Sequence, residues 1–231
     1  MIGIVIPAHN EAQYIGATLT AMLLAASHAE LHGEAVRAVV VLDSCNDDTG
    51  LIARRHGVTT MAVNVRNVGR ARAAGAQRLL DEGARWLAFT DADTIVSPEW
   101  LVCQLALNAD AVCGSVGIDD WSAHGEHVDL IRTHFARTYN DADDHRHIHG
   151  ANLGVSADAY RRAGGFAPLA CSEDVALVAA LIETGARIAW SAAPRVATSA
   201  RTDARARGGF GDALLAAIAA GLAGGDSPVP A

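Results

Sequence analysis

The residues best placed to do chemistry are Asp91 and Asp93, in the run Phe89-Thr90-Asp91-Ala92-Asp93 where a buried apolar stretch gives way to polar chain. In an extended chain residues i and i+2 point to the same side. The spacing therefore predicts two carboxylates on one face at the end of a strand. Like charges that close repel one another, and a hard dication relieves the repulsion. Mg2+ or Mn2+ is the ion such oxygens select, and it keeps positions open for phosphate oxygens. The blander reading is an Asx turn that leaves the strand and leads to a helix cap at Ser97.

Four other runs carry candidate chemistry. Ile6-Pro7-Ala8-His9-Asn10-Glu11 leaves the first apolar run, with Pro7 stiffening the exit and Asn10 or Glu11 opening a helix. Leu42-Asp43-Ser44-Cys45-Asn46-Asp47-Asp48-Thr49 leaves the second. Asp47 and Asp48 suit a helix N-terminus there, whereas Asp43 is a carboxylate at the very end of a strand. In Asn67-Val68-Gly69-Arg70-Ala71-Arg72, small residues let a helix start approach a ligand, and Arg70 and Arg72 could meet an anion or merely face solvent. Ser172-Glu173-Asp174-Val175 reads as an N-cap followed by acids in the first helical turn, and Asp174 is also a candidate general base. His145, His147 and His149 alternate as a transition-metal site would, but no cysteine pair or second histidine cluster completes one. A substrate-facing or solvated loop is the preferred reading.

Apolar and amphipathic stretches alternate so as to position these residues. Strands are predicted at Ile2–Ile6, Val36–Leu42, Val58–Val65 and Trp86–Thr90, with helices at Glu11–His32, Asp47–His56 and Gly69–Gly83. That alternation implies an α/β domain whose mainly parallel sheet is covered on both faces and binds ligands at the carboxyl ends of its strands. Ser97-Pro98-Glu99 opens a helix with Ser97 as cap, and a strand covers Ala111–Val116. Asp119–His149 is polar, with weak helical spacing only at Val128–Tyr139. Regular structure returns at Ala151–Val155, and helices at Ser156–Ala163 and after Ser172 and strands at Arg187–Trp190 and Arg195–Thr198 complete the pattern. Asp212–Leu222 is an alanine-rich helix without a basic lipid-facing side, which leaves core or homodimer packing for it. The division is one domain, with a donor half at 1–117, an acceptor half at 118–211 and a terminal helix and tail at 212–231.

Composition excludes several classes. The chain has 231 residues, and a net charge of −8 disfavours a nucleic-acid partner. All 18 basic residues are Arg and none is Lys, so Schiff-base and P-loop lysine chemistry are excluded. No long apolar run or basic leader is seen, and Cys45, Cys103, Cys113 and Cys171 are scattered, which fits a reducing cytoplasm. The residues after the first strand lack a nucleotidyltransferase's Gly-rich basic loop, and no GxGxxG follows a strand.

Taken in order, the motifs resemble the family 2 glycosyltransferases of the GT-A fold. The resemblance runs through IVIPAHNEAQYI, VVVLDSCNDDTG, NVGRARAAGAQ, AFTDAD, GANLGVSADAYRRAGGF and SEDV, from Ile2 to Leu181. It implies a hexosyl donor in the form of a UDP- or GDP-sugar, an acceptor hydroxyl and Mn2+ or Mg2+. Pro7, Ala8 and Glu11 would lie against the nucleotide, with Asp43 reading the base and Arg70 facing diphosphate or base. Asp91 would contact ribose or metal, and Asp93 would ligate the metal. Asp174 would deprotonate the acceptor, with Glu173 beside it. Leu42 stands where the commoner motif has its first Asp, and the Gln-x-x-Arg-Trp motif is missing. The last histidine is His149, so the C-terminal histidine ligand of some retaining relatives has no counterpart, which favours inversion. The lack of a processive-synthase membrane region favours one sugar per acceptor. The alternative is a protein that kept the fold and binds sugar nucleotides without catalysis.

Overall fold

The computed structural model describes residues 1–169 and 171–202, with Asp212, Leu215 and Ala219. Most of the predicted terminal helix over 212–222, and the tail beyond it, lie outside the described residues.

Three β–α repeats and a fourth strand build the first half: β1 (Ile2–Ala8), α1 (Ile15–Ala26), β2 (Val36–Asp43), α2 (Thr49–Arg55), β3 (Thr59–Val63), α3 (Val68–Asp81) and β4 (Trp86–Phe89). The strand β1 is buried along its whole length. Ile2, Ile4 and Ile6 pack on one face with Leu19 and Met22 of α1, while Val5 packs on the other with Ala76 and Leu79 of α3. Alternation at period two thus splits the core into two layers, one on each side of the sheet. The second half adds β5 (Thr94–Val96), α4 (Trp100–Ala106), β6 (Ala111–Gly117), α5 (Val128–Thr138), β7 (Leu153–Ser156), α6 (Ala157–Arg162), α7 (Glu173–Glu183) and β8 (Ile188–Thr198).

All eight strands form one sheet in the order β3-β2-β1-β4-β7-β6-β8-β5. The pairings within the first four are parallel. Beyond β4 the sheet is mixed: β7 runs antiparallel to both neighbours, β8 parallel to β6, and β5 antiparallel to β8. Strands β4 and β5 are four places apart in this order, about 19 Å in a flat sheet. The five links from Phe89 to Thr94 reach at most about 18 Å and include a turn, so the sheet must curl. Its curl brings the edge strand β5 back over the end of β4.

Several elements differ from expectation. The first helix begins at Ile15, because residues 12–14 form a turn in which the amides of Tyr14 and Ile15 bond the Glu11 carbonyl. Ser97 does not cap α4; its amide is held by the Arg195 carbonyl of β8, and the helix begins at Trp100 after Glu99. The two C-terminal strands are one strand with a bulge: Gly114 pairs with Ser191 and Ser115 with Arg195, so Ala192, Ala193 and Pro194 loop out. A proline is tolerated there because a bulge frees it from the ladder. Buried Asn152 pins the bulge, donating to the Ser115 and Pro194 carbonyls at 2.7 Å each and accepting from the Trp100 indole at 2.8 Å.

The 119–149 region is more ordered than its polarity suggested. A 3-10 turn at Ser122–His127 leads into α5, and an aromatic ladder organises the chain from the end of that helix to the histidines. Phe135 stacks on Tyr139 at 4.6 Å, Tyr139 on His147 at 4.1 Å, and His147 on His145 at 5.4 Å. Among the described residues no helix is long and apolar enough to cross a membrane.

Candidate active site

The loops after β1 and β2 are stitched together. The Glu11 amide donates to Thr49 Oγ1 at 2.8 Å, and the Ala12 amide to Asp47 Oδ2 at 3.0 Å. The Asn46 amide donates to Asn10 Oδ1 at 2.8 Å, and Cys45 Sγ donates to the Ala8 carbonyl at 3.2 Å. Asp47 also accepts from the amide and hydroxyl of Thr49, which makes it the acid that starts α2. Pro7 and Ala8 are the last residues of β1, paired with Val41 and Leu42 of β2. Pairing of β1 with β4 stops at Val5, which leaves an open ladder edge near Pro7 for a residue with no N–H.

Asp43 is buried, and its carboxylate organises the loop that starts α3. Oδ1 accepts from the amides of Val65 and Arg66 at 2.9 Å each, and Oδ2 from the Asn67 amide at 2.8 Å. Burial is the largest influence on its ionisation and pushes the pKa up, but these amides and the Ser44 hydroxyl together outweigh it and hold the carboxyl below its ordinary range. Asn67 then caps α3 by accepting from the Arg70 amide at 2.8 Å, and donates to the Leu169 carbonyl at 2.6 Å. Arg70 itself is exposed on the first turn.

Asp91 and Asp93 do not lie on an extended chain. Residues 91–94 form a turn in which the Thr94 amide reaches the Asp91 carbonyl at 3.2 Å, and the two carboxylates meet different arginines. Asp91 accepts from Arg72 Nη2 at 2.6 Å. Asp93 Oδ2 lies 3.2 Å from Arg201 Nη2, and Arg201 also forms a two-point pair with Glu11 at 2.6 and 2.9 Å. The Arg201 guanidinium stands 5.4 Å from the Tyr14 ring centre. The Asp93 carboxyl is pushed up to about 7, chiefly by burial, with Arg201 opposing the shift and Asp91 and Glu11 adding to it.

Arg72, on α3, is the residue whose surroundings the sequence left open. It is buried, and its guanidinium bridges Asp91 and Glu173. Burial works against its charge, but Asp91, Glu173 and Asp174 together keep it firmly protonated. Burial raises the pKa of Glu173, with Arg72 opposing the shift. Asp174 Oδ2 accepts from the Gly150 amide at 2.7 Å. Gly69 permits the close approach of Ala167 and Glu173, since a Cβ there would meet the Ala167 carbonyl oxygen at 2.7 Å. Ser172 precedes α7 in a left-handed conformation, φ 58°, with no side-chain cap bond. Asn10, Ser44 and Arg66 share that conformation.

The rings of His145, His147 and His149 are held by hydrogen bonds, and among the described residues they join no group of three or more His, Cys, Asp or Glu that could hold an ion. His145 Nδ1 accepts from the His147 amide at 2.9 Å, and His147 Nε2 from the Asn140 amide at 3.1 Å. Tyr139 accepts from the Val116 amide at 2.8 Å, which directs its hydroxyl proton to His149 Nε2 at 3.1 Å. Burial, aided by His147 and His145, pushes His149 down to about 3.

The acids suit a hard dication. Among the described residues no cluster of three or more His, Cys, Asp or Glu could hold an ion by itself. Mg2+ and Mn2+ sites with one or two carboxylates complete their shells with water and substrate phosphates. Asp93, with its raised pKa among neighbouring acids, is a carboxylate whose charge such an ion would compensate.

A sheet with helices on both faces, carrying acids and arginines where the strands of its parallel half end, defines an α/β domain of the GT-A glycosyltransferase type. The family description "Glycosyl transferase family 2" matches residues 3–164, more than half of the chain, and the chain belongs to that family. No curated protein matches it in sequence. Solved structures share the fold. S. aureus TarS 1–349 in complex with UDP-GlcNAc superposes with a TM-score of 0.63 at 14% identity, covering 98% of this chain and 67% of that one. Glucosyl-3-phosphoglycerate synthase from Mycobacterium tuberculosis, with Mn2+, UDP and glucosyl-3-phosphoglycerate, gives 0.60 at 18%, covering 94% and 79%. The Pyrobaculum calidifontis mannosyltransferase PcManGT, with GDP-Man and Mn2+, gives 0.62 at 17%, covering 99% and 65%. Against a longer TarS structure the chain spans 36% of that protein's length.

Proposed function

We propose that this chain transfers a hexosyl group from a UDP- or GDP-sugar to an acceptor hydroxyl, one sugar at a time and with inversion. The observation that carries the reading is the meeting of two distant motifs: Asp91 and Glu173 bind the same guanidinium, and Asp174 lies next to Glu173. In this reading Asp174 takes the proton from the acceptor hydroxyl as it attacks the anomeric carbon, while the sugar–phosphate bond breaks and the diphosphate departs. Asp93 and Asp91 would hold Mn2+ or Mg2+, which neutralises charge on the departing diphosphate. Exposed Arg70, at the start of α3, adds a cation beside the diphosphate or base, and Pro7, Ala8 and Glu11 shape the wall against the nucleoside. The donor half ends near residue 117, and the aromatic ladder after it builds the acceptor side. Four free cysteines agree with a reducing, cytoplasmic setting.

A second reading, sugar-nucleotide binding without turnover, is favoured by one observation. Leu42 stands beside Asp43 where the commoner second-strand motif has its first Asp. A thermal-shift panel of UDP- and GDP-sugars with and without Mn2+ identifies the donor, since a ligand that binds only the native state raises its melting point. Asp174→Asn then separates the readings. The transferase loses turnover and keeps donor binding, whereas a binding protein changes in neither.

A further inference from the structure

The proposed transfer needs the metal corner and the base held at a fixed separation, although they come from opposite halves of the sequence. The base is held by a glycine amide, and that glycine lies against a buried arginine. A Cβ on Gly150 would fall 2.4 Å from Arg72 Cζ and from both of its terminal nitrogens. The Gly150 backbone therefore rests directly on the guanidinium, and its amide donates to Asp174 at 2.7 Å. Arg72 Nη2 holds Asp91 at 2.6 Å, Nη1 holds Glu173, and Phe166 lies 5.8 Å from Cζ. A single plane thus touches Asp91, Glu173 and the loop that fixes Asp174.

This arrangement is a poor way to gain stability. Arg72 is buried with two acidic partners, and its Nε–H has no acceptor among the described residues. Buried ion pairs are often matched or exceeded in stability by apolar side chains of similar volume. An orphaned donor beside such a pair needs another explanation.

We propose that Arg72 is a positioning residue for the transfer reaction. Its planar guanidinium sets the separation between Asp91 and Asp174, acting on the first directly and on the second through Gly150. Lysine would keep the charge but has no planar fork, so it could hold one carboxylate and would leave Gly150 without its platform. The inference rests on the transferase reading.

The test compares wild type with Arg72→Lys. It reads hydrolytic release of UDP or GDP, in which water takes the sugar in place of the acceptor hydroxyl, from the sugar nucleotide that wild type uses, with Mn2+, together with the dissociation constant of the matching nucleotide with Mn2+ and the hydrogen exchange of the Gly150 amide. The expected result is a kcat lower by about 100-fold, nucleotide affinity within about fivefold, and Gly150 exchange faster by at least about tenfold. A merely structural role would lower the folded fraction and leave kcat per folded molecule unchanged. A folded Arg72→Lys with kcat within twofold of wild type overturns the proposal. If that variant does not fold, Gly150→Ala carries the test, because its methyl group must displace the guanidinium; unchanged kcat there overturns it equally. A wild type that releases nucleotide from no sugar nucleotide contradicts the transferase reading itself, a result distinct from failure of the variants.

Discussion

Arg201 grips Glu11 with both terminal nitrogens, at 2.6 and 2.9 Å, and so ties the end of β8 to the loop after β1. Both side chains are mostly buried, and Asp93 lies against the same guanidinium. Removing one partner of a buried pair leaves the other uncompensated. Arg201→Ala should therefore lower stability by about 2–4 kcal/mol, read from a denaturant melt. Mn2+ should raise the melting temperature of this variant more than that of wild type, because the ion supplies the positive charge Asp93 has lost. Equal shifts would show that ion and arginine act on different acids.

Asp43 holds three successive amides of the 65–67 loop. Replacing it with Asn puts a donor where an acceptor is needed, and should cost about 2 kcal/mol while speeding hydrogen exchange at Val65, Arg66 and Asn67. The carboxyl's pKa is lower folded than unfolded. Its contribution is therefore complete above the unfolded value and is lost as pH falls through the folded one. Urea midpoints of Asp43→Asn should accordingly fall less steeply than wild type below about pH 4.

The first half of the fold was legible because each β–α repeat carries its own signal: Ile2, Ile4 and Ile6 face one layer, and Val5 faces the other. What failed depended on partners far along the chain. Thr94-Ile95-Val96 is a strand only because Thr198, Ala197 and Val196 lie beside it. The proline that split the last strand in two is absorbed by a bulge against β6. The candidate site was legible as a set of acids, but not as a geometry. Arg70 and Arg72 look alike in sequence, yet the helix exposes the first and buries the second between Asp91 and Glu173. Asp91 and Asp93 were expected to share a face, and a turn gives each its own arginine.

His149 sets an acid limit for the aromatic ladder. Its folded pKa is about 3, well below its ordinary value, and burial lowers His145 and His147 in the same direction. Below about pH 6.5 the unfolded chain takes up protons that the folded ladder refuses, so stability falls with pH from there. The Trp190 and Trp121 fluorescence of wild type should therefore stay constant over this window and change only with acid unfolding. His147→Phe, which keeps a ring on Tyr139, should show a shallower acid slope.

Asn152 makes three buried hydrogen bonds to three elements, closing the β8 bulge on β6 and α4. Asn152→Leu strands two carbonyls and the Trp100 indole, and should cost about 3 kcal/mol or more in a urea melt. A loss below about 1 kcal/mol would mean that water takes over these bonds.

The central claim is that Asp93 and its neighbours receive a dication that in turn receives a nucleotide diphosphate. Calorimetric titration of UDP and GDP into wild type and Asp93→Asn, each with and without Mn2+, tests it directly. Wild type should bind one of the two nucleotides only when Mn2+ is present, and Asp93→Asn should give no metal-dependent heat while melting at no lower temperature than metal-free wild type. Metal-dependent binding that survives unchanged in Asp93→Asn, or wild-type binding indifferent to Mn2+, would contradict the claim.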